Sequence, residues 1–71
     1  MEEYSRIVIE EYCMNHKSKK SEQLRELLEL SYTMEEEADD CDAIFLEKMI
    51  SSEKNPELKE ALQDLDDYLF G

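Results

Sequence analysis

The scarcity of residues that break helices is the feature that most constrains the fold of this chain. Its 71 residues include one proline, Pro56, and one glycine, Gly71. Folds rich in tight turns need many such residues, because turns use the backbone angles that glycine and proline supply. We therefore predict an all-α protein. A chain of this length has room for one core, so residues 1–71 are predicted to form a single acidic helical domain.

The first predicted helix covers residues 2–15. Its apolar residues lie on several sides, which is typical of a helix at the centre of a bundle or at an interface. The β-branched run Ile7-Val8-Ile9 makes a strand the alternative here. Residues 16–20 contain three lysines that suit the end of a helix, and Ser21 is a suitable N-cap for the next helix.

The spacing of apolar residues predicts helix over residues 21–52. Alternating steps of three and four residues run through Leu24, Leu27, Ser31, Met34, Ala38, Cys41, Phe45 and Lys48. Either one continuous helix or two helices with a bend near Ala38 fit this pattern. We favour the continuous helix, because Glu35-Glu36-Glu37 would otherwise end a helix, where the helix dipole disfavours carboxylates.

The last predicted helix covers residues 56–69. Asn55 suits the N-cap position, and Pro56 suits the first helical position. One apolar face is formed by Leu58, Leu62, Leu65 and Leu69. The three to four helices predict a small bundle. Because a chain this short buries only about 60% of its unfolded surface, we expect it to gain further burial as a homodimer.

The charge balance predicts the class of partner. The chain contains 20 acidic and 8 basic residues, which give a net charge of -12. Such a field repels nucleic acid and anionic membranes and attracts basic proteins. We therefore predict a basic protein partner, with no direct binding to nucleic acid or to a membrane. No apolar run reaches the length of a membrane span, no signal peptide is evident, and the two cysteines fit a reducing compartment, so we expect a cytoplasmic protein.

The motifs of metal sites and enzymes are not found in the sequence. Cys13, His16 and Cys41 would supply three zinc ligands, whereas a structural site needs four. Residues 39–42 and 64–67 resemble calcium loops but lack the central glycine and the terminal glutamate. There is no phosphate-binding loop and no nucleophile motif. We expect a non-enzymatic protein without metal or cofactor.

The carboxylates fall on two predicted helical faces. Candidate partner-binding residues are Glu29, Glu36, Glu37, Asp39, Asp40, Asp42 and Glu47 on the middle segment, and Glu57, Glu60, Asp64 and Asp67 on the last helix. On a continuous helix, like-charged pairs within residues 35–42 would cost about 1–2.5 kcal/mol before screening. Lysines would have avoided that cost, so the carboxylates are candidates for a binding surface.

Imitation of DNA is one explanation of these faces. On a continuous helix with a rise of about 1.5 Å per residue, the six carboxylates of residues 35–42 would fall within about 11 Å. Duplex DNA carries one charge per about 1.7 Å of its axis, which is a similar density. The alternative is a soluble acidic surface without a selected geometry.

With the acidic run of residues 35–42, EEEADDCD, the chain resembles the small acidic host-takeover proteins of large lytic phages in size, charge and helical character. Some of these are DNA mimics that block nucleoid-associated proteins such as HU. The resemblance implies a dimeric, phage-encoded inhibitor that acts in the host cytoplasm and occupies the DNA-binding surface of a basic, HU-like protein. The rival function is an adaptor, antitoxin or chaperone-type protein that binds its partner through apolar helix surface, including Ile7, Ile9, Ile44 and Ile50.

Overall fold

The computed structural model describes residues 1–33 and 38–71, and these residues form four α-helices and no strand. The helices are α1 (Glu3–Asn15), α2 (Lys19–Thr33), α3 (Asp40–Ser52) and α4 (Pro56–Phe70). The prediction of an all-α fold is confirmed. The alternative of a strand at Ile7-Val8-Ile9 is wrong, because these residues lie within α1.

The four helices are arranged as two hairpins. Residues 16–18 join α1 to α2, and residues 53–55 join α3 to α4, so each pair packs as antiparallel neighbours. The two hairpins meet mainly where α1 packs against α4. α1 packs against both α2 and α4, which also contact each other, and this explains why its apolar residues face more than one side.

The core is built mainly from leucines of α2 and α4. Its buried residues are Ile9, Leu24, Leu27, Leu28, Leu46, Met49, Leu58, Ala61, Leu62 and Leu65. Leu69 packs against this core and is only partly buried.

The start of α4 is also as predicted. The side chain of Asn55 accepts the N–H of Glu57 at 3.0 Å, and Pro56 takes the first helical position.

The predicted continuous helix over residues 21–52 is wrong, and the alternative of two helices is confirmed. α2 ends at Thr33, and the backbone of Asp39 is extended, with φ -95° and ψ 179°. Asp39 and Asp42 form a capping box. The Asp39 carboxylate accepts the N–H of Asp42 at 3.0 Å, and the Asp42 carboxylate accepts the N–H of Asp39 at 3.2 Å. These bonds satisfy N–H groups that a helix start leaves unpaired, so a new helix begins here.

The break changes which residues of α3 face the core. Cys41, Phe45 and Lys48 were predicted to continue the apolar face of α2, but Cys41 and Lys48 are exposed and Phe45 is only half-buried. The fully buried residues are Leu46 and Met49. Because α3 starts anew after Asp39, its rotation is set by its own packing against α4 and not by the register of α2.

The predicted N-cap at Ser21 is also wrong, because α2 begins at Lys19. Ser21 lies inside the first turn and pairs with Ser18, just before the helix. The Ser21 hydroxyl oxygen accepts the N–H of Ser18 at 2.9 Å, and the Ser18 hydroxyl oxygen accepts the N–H of Ser21 at 3.3 Å. This reciprocal pair closes the connection between α1 and α2.

Candidate acidic binding surface

The negative charge belongs to one part of the chain. Residues 1–20 contain four acidic and four basic residues, so their net charge is zero. The whole net charge of -12 therefore falls on residues 21–71. Within that part, residues 38–71 contain ten acidic and three basic residues. We call residues 38–71 the α3–α4 hairpin, and it is the most acidic part of the described structure.

Few of these carboxylates have a basic partner within the protein. In residues 1–33 and 38–71 the single ion pair joins Arg25 Nε to Glu29 Oε1 at 3.9 Å, and both side chains are largely exposed. A solvated pair of this kind on one helix contributes little to stability. The predicted site residue Glu29 thus has an intramolecular partner, whereas the acidic residues of the α3–α4 hairpin form no ion pair in the described structure.

Two of the predicted binding residues stabilise the start of α3. Asp39 and Asp42 are the two members of its capping box. Their negative charges also lie at the N-terminal end of the helix dipole, which favours them. Asp40 lies in the same first turn, but its side chain is exposed and takes no part in the box.

Two others connect α4 to α1. Asp64 is half-buried, and its carboxylate accepts the backbone N–H of Glu2 at 3.0 Å. That N–H, together with the Ser5 hydroxyl and the N-terminal ammonium, holds the pKa of Asp64 below its ordinary value despite some burial. Glu57 accepts a hydrogen bond from the Tyr4 hydroxyl. Both carboxylates therefore have a structural role that the helical pattern did not indicate.

The structure describes four of the six remaining predicted residues. Glu36 and Glu37 lie outside the described residues. Four of the predicted residues are exposed carboxylates that form no side-chain hydrogen bond or ion pair with any described residue, and these are Asp40, Glu47, Glu60 and Asp67. All four belong to the α3–α4 hairpin. Among the predicted residues, these four are available to bind a cation from outside.

A shallow acidic cleft of about 290 Å³ lies between α3 and α4. It is lined by the carboxylates of Glu47, Asp66 and Asp67, together with Ile50, Ser51 and Gln63. Partial burial and the neighbouring charges of Asp67 and Glu47 raise the pKa of Asp66. The cleft thus brings like charges from two helices together at a cost in stability.

Asp66 was not among the residues predicted to bind a partner. It follows the buried Leu62 by four residues and precedes Leu69 by three. Residues at these spacings lie on the same side of a helix. This spacing places Asp66 at the edge of the apolar face. A carboxylate in that position is the sequence signal that would have identified Asp66 as a partly buried acidic residue.

A second groove, between α1 and α2, has a different character and a volume of about 710 Å³. Its lining includes the cationic Lys17 and Arg25 and the apolar Met14, Leu28 and Tyr32. The Tyr32 hydroxyl donates a hydrogen bond to Glu10 at 2.8 Å. This groove combines both signs of charge with apolar surface, so it is distinct from the acidic cleft.

The chain matches no protein-family model, and no curated protein or solved structure is similar enough to indicate a family. In the described part of the chain, no helix is both long enough and apolar enough to cross a membrane. Nor do the described residues include a group of three or more histidines, cysteines or carboxylates that could hold a metal ion.

Proposed function

We propose that this protein is a non-enzymatic inhibitor that mimics DNA and occupies the DNA-binding surface of a basic, HU-like nucleoid-associated protein. The observation that carries the proposal is the α3–α4 hairpin, where exposed carboxylates lack basic partners among the described residues. Proteins bind the DNA backbone largely with lysine and arginine side chains. Carboxylates accept hydrogen bonds from the same side chains, so an acidic surface can compete for them.

The break at Asp39 changes how the carboxylates would imitate a duplex. The density estimated for residues 35–42 assumed one continuous helix, and that assumption is wrong. The charges of the α3–α4 hairpin come instead from two adjacent helices. Packed helices lie about 8–10 Å apart, which is between the widths of the two grooves of DNA, about 6 and 12 Å. Two neighbouring rows of carboxylates resemble two phosphate strands more than a single helix does.

The resemblance to phage host-takeover proteins gives the proposal its setting. The protein would act in the cytoplasm of an infected bacterium, on a protein whose normal ligand is DNA. Its own charge of -12 would keep it from binding the DNA that it displaces.

Displacement of DNA from a purified HU-like protein tests the proposal directly. A fluorescently labelled duplex is bound to that protein, and the chain is added at ~50 and ~300 mM salt. We expect release of the duplex at the lower salt and much weaker binding of the chain at the higher salt, because screening weakens contacts between exposed charges. Absence of displacement at low salt, or binding of the chain that is independent of salt, would contradict the proposal.

Two double variants then locate the surface. Asp40→Asn with Glu47→Gln removes two exposed charges of the α3–α4 hairpin, and Glu3→Gln with Glu11→Gln removes two from α1 as a control. Loss of direct charge contacts is expected to weaken inhibition by about tenfold or more in the first variant. The control changes net charge equally and is expected to weaken inhibition by less than about twofold. Equal effects would mean that net charge alone matters.

The exposed apolar side chains favour a second function, an adaptor, antitoxin or chaperone-type protein. Ile7 and Ile44 are 47% and 51% exposed. Two other residues predicted for that surface do not support it, because Ile9 lies in the core and Ile50 packs against it. If the second function is correct, Ile44→Glu weakens partner binding, whereas Asp40→Asn with Glu47→Gln does not.

A further inference from the structure

Two exposed apolar side chains of α1, Ile7 and Met14, lie on one side of the helix, and Met14 borders the groove between α1 and α2. Ile7 and Met14 are separated by seven residues, which is about two helical turns, and they are 47% and 74% exposed. Met14 lines the groove, together with Tyr32 from α2, which is 46% exposed. We call Ile7, Met14 and this groove the α1–α2 face.

The α1–α2 face carries charges of both signs. Lys17 and Arg25 line the groove, as do Glu10, Glu22 and Glu29. Residues 1–20, which supply α1 and the start of α2, have a net charge of zero. The two cations and three carboxylates of the groove sum to a charge of -1, whereas the three basic and ten acidic residues of the α3–α4 hairpin sum to -7, so the two surfaces differ in charge.

We infer that the α1–α2 face binds a second copy of this chain and forms a two-fold symmetric homodimer. In a two-fold interface the same patch meets itself, so the patch must be complementary to itself. A patch that holds cations, carboxylates and apolar side chains meets that requirement, because each cation can approach a carboxylate of the partner. A uniformly acidic patch does not meet it.

Long-range electrostatics favour the same face. Two chains with a charge of -12 each repel most strongly where residues 38–71 of both would meet. α3 packs against α4 and so lies away from the α1–α2 groove. With a Debye length of about 10 Å at 0.1 M salt, charges on the far side of a protein 22–28 Å across are largely screened from the partner.

The area that a dimer requires is modest for this protein. A standard interface buries roughly 800 Å² on each partner, which is about one sixth of the 5158 Å² surface of this chain. Dimerisation through the α1–α2 face would also leave both α3–α4 hairpins accessible to a basic partner. The inference does not depend on the proposed function.

A basic peptide is the other occupant to consider. Such a peptide would meet both cations and carboxylates in the groove, which sum to -1, and a far stronger negative field at the α3–α4 hairpin, which sums to -7. The charges therefore favour a second copy in the groove and a basic partner elsewhere.

Sedimentation equilibrium of the full chain, from ~1 to ~500 µM, tests the inference. We expect a concentration-dependent dimer whose dissociation constant is lower at ~300 mM than at ~50 mM salt, because screening relieves the repulsion between two chains of charge -12 more than it weakens the few contacts between cations and carboxylates across the interface. Binding to a basic partner should change with salt in the opposite direction, so the two interactions can be told apart. A monomer at every concentration, or a dimer that dissociates as salt rises, would overturn the inference.

Single variants locate the interface. Ile7→Glu and Met14→Glu each place a charge on the α1–α2 face, and each is expected to raise the dissociation constant about tenfold or more. Ile44→Glu is the matched control for Ile7→Glu, because it makes the same change at a similarly exposed site on α3, and it is expected to have less than about a twofold effect. Circular dichroism checks that each variant is folded, and Met14→Glu, at the more exposed site, is decisive if Ile7→Glu unfolds.

The outcomes separate the dimer from the proposed function. If Ile44→Glu weakens the dimer as much as Met14→Glu does, the assignment of the face is wrong. A monomeric chain that still displaces DNA would refute the dimer alone. A dimer that displaces no DNA would refute the proposed function alone.

Discussion

Replacing Asp39 by alanine tests the physical reason for the break between α2 and α3. The Asp39 carboxylate accepts the N–H of Asp42 at 3.0 Å and lies at the positive end of the α3 dipole. Loss of an N-cap side chain costs roughly 0.5–2 kcal/mol, and loss of its charge near the helix start roughly 0.3–1 kcal/mol more. We therefore expect Asp39→Ala to destabilise the protein by roughly 1–2 kcal/mol.

A continuous helix through residue 39 would give the opposite result. Alanine is the best helix former, and aspartate in a helix interior is less favourable by roughly 0.5–0.7 kcal/mol. The substitution would also remove repulsion from neighbouring carboxylates such as Asp42. Asp39→Ala would then stabilise the protein, so the sign of the change decides between the two structures.

Thermal and urea unfolding followed by far-ultraviolet circular dichroism measure this effect. For a domain of this size, a loss of 1 kcal/mol lowers Tm by about 4–8 °C. Asp40→Ala is the matched control, because it removes the same charge from the same turn without removing a capping hydrogen bond. The capping box would not be the cause of the break if Asp39→Ala left Tm unchanged or raised it, or if Asp40→Ala lowered Tm equally.

Three further substitutions test the core and the pKa shifts. Leu62→Ala opens a cavity at a fully buried site and is expected to cost about 2–5 kcal/mol in urea unfolding, a large part of the total stability; a loss below 1 kcal/mol would mean that the core is not packed as described. Asp66→Asn should stabilise the protein at pH 7, because it removes the cost of partly burying a charge and the repulsion from Asp67 and Glu47. Because the folded state raises the pKa of Asp66, this gain should vanish as pH falls through that raised pKa. Asp64→Asn should destabilise the protein at pH 7. Because the folded state lowers the pKa of Asp64, that loss should persist to lower pH and disappear only below the folded pKa. Unfolding curves between pH 2 and pH 7 that show both variants changing in the same direction would refute these assignments.

The helix that the sequence predicted best is α4, because several independent signals agree there. Asn55 and Pro56 mark its start, and the leucines repeat on one face with helical spacing. The boundary between α2 and α3 was predicted less well, because aspartate has opposite effects on a helix at two positions. Asp39 disfavours a helix when it lies inside and favours one when it lies at the N-cap. The apolar spacing that suggested one helix also continued too far, because on α3 the core is contacted most closely by Leu46 and Met49 and not by Cys41 and Phe45.

The candidate site was predictable in its charge but not in its detail. The concentration of carboxylates after residue 20 is a property of the sequence alone. The sequence does not show which carboxylates have structural contacts and which are available to a partner, because those contacts join residues that are far apart in the chain. Asp64 bonds to the N–H of Glu2, 62 residues away, and no local pattern indicates that contact.

The short connections between the helices also determine how fast this protein can fold. Residues 16–18 and 53–55 bring neighbouring helices together with little loss of chain entropy, and the Ser18–Ser21 bonds hold the first of these turns. Helical proteins dominated by such local contacts fold in microseconds to milliseconds. The docking of α1 on α4 joins distant parts of the chain and is expected to be the slow step. Rapid refolding would let the protein recover quickly from the transient unfolding that a small apolar core in a highly charged protein permits.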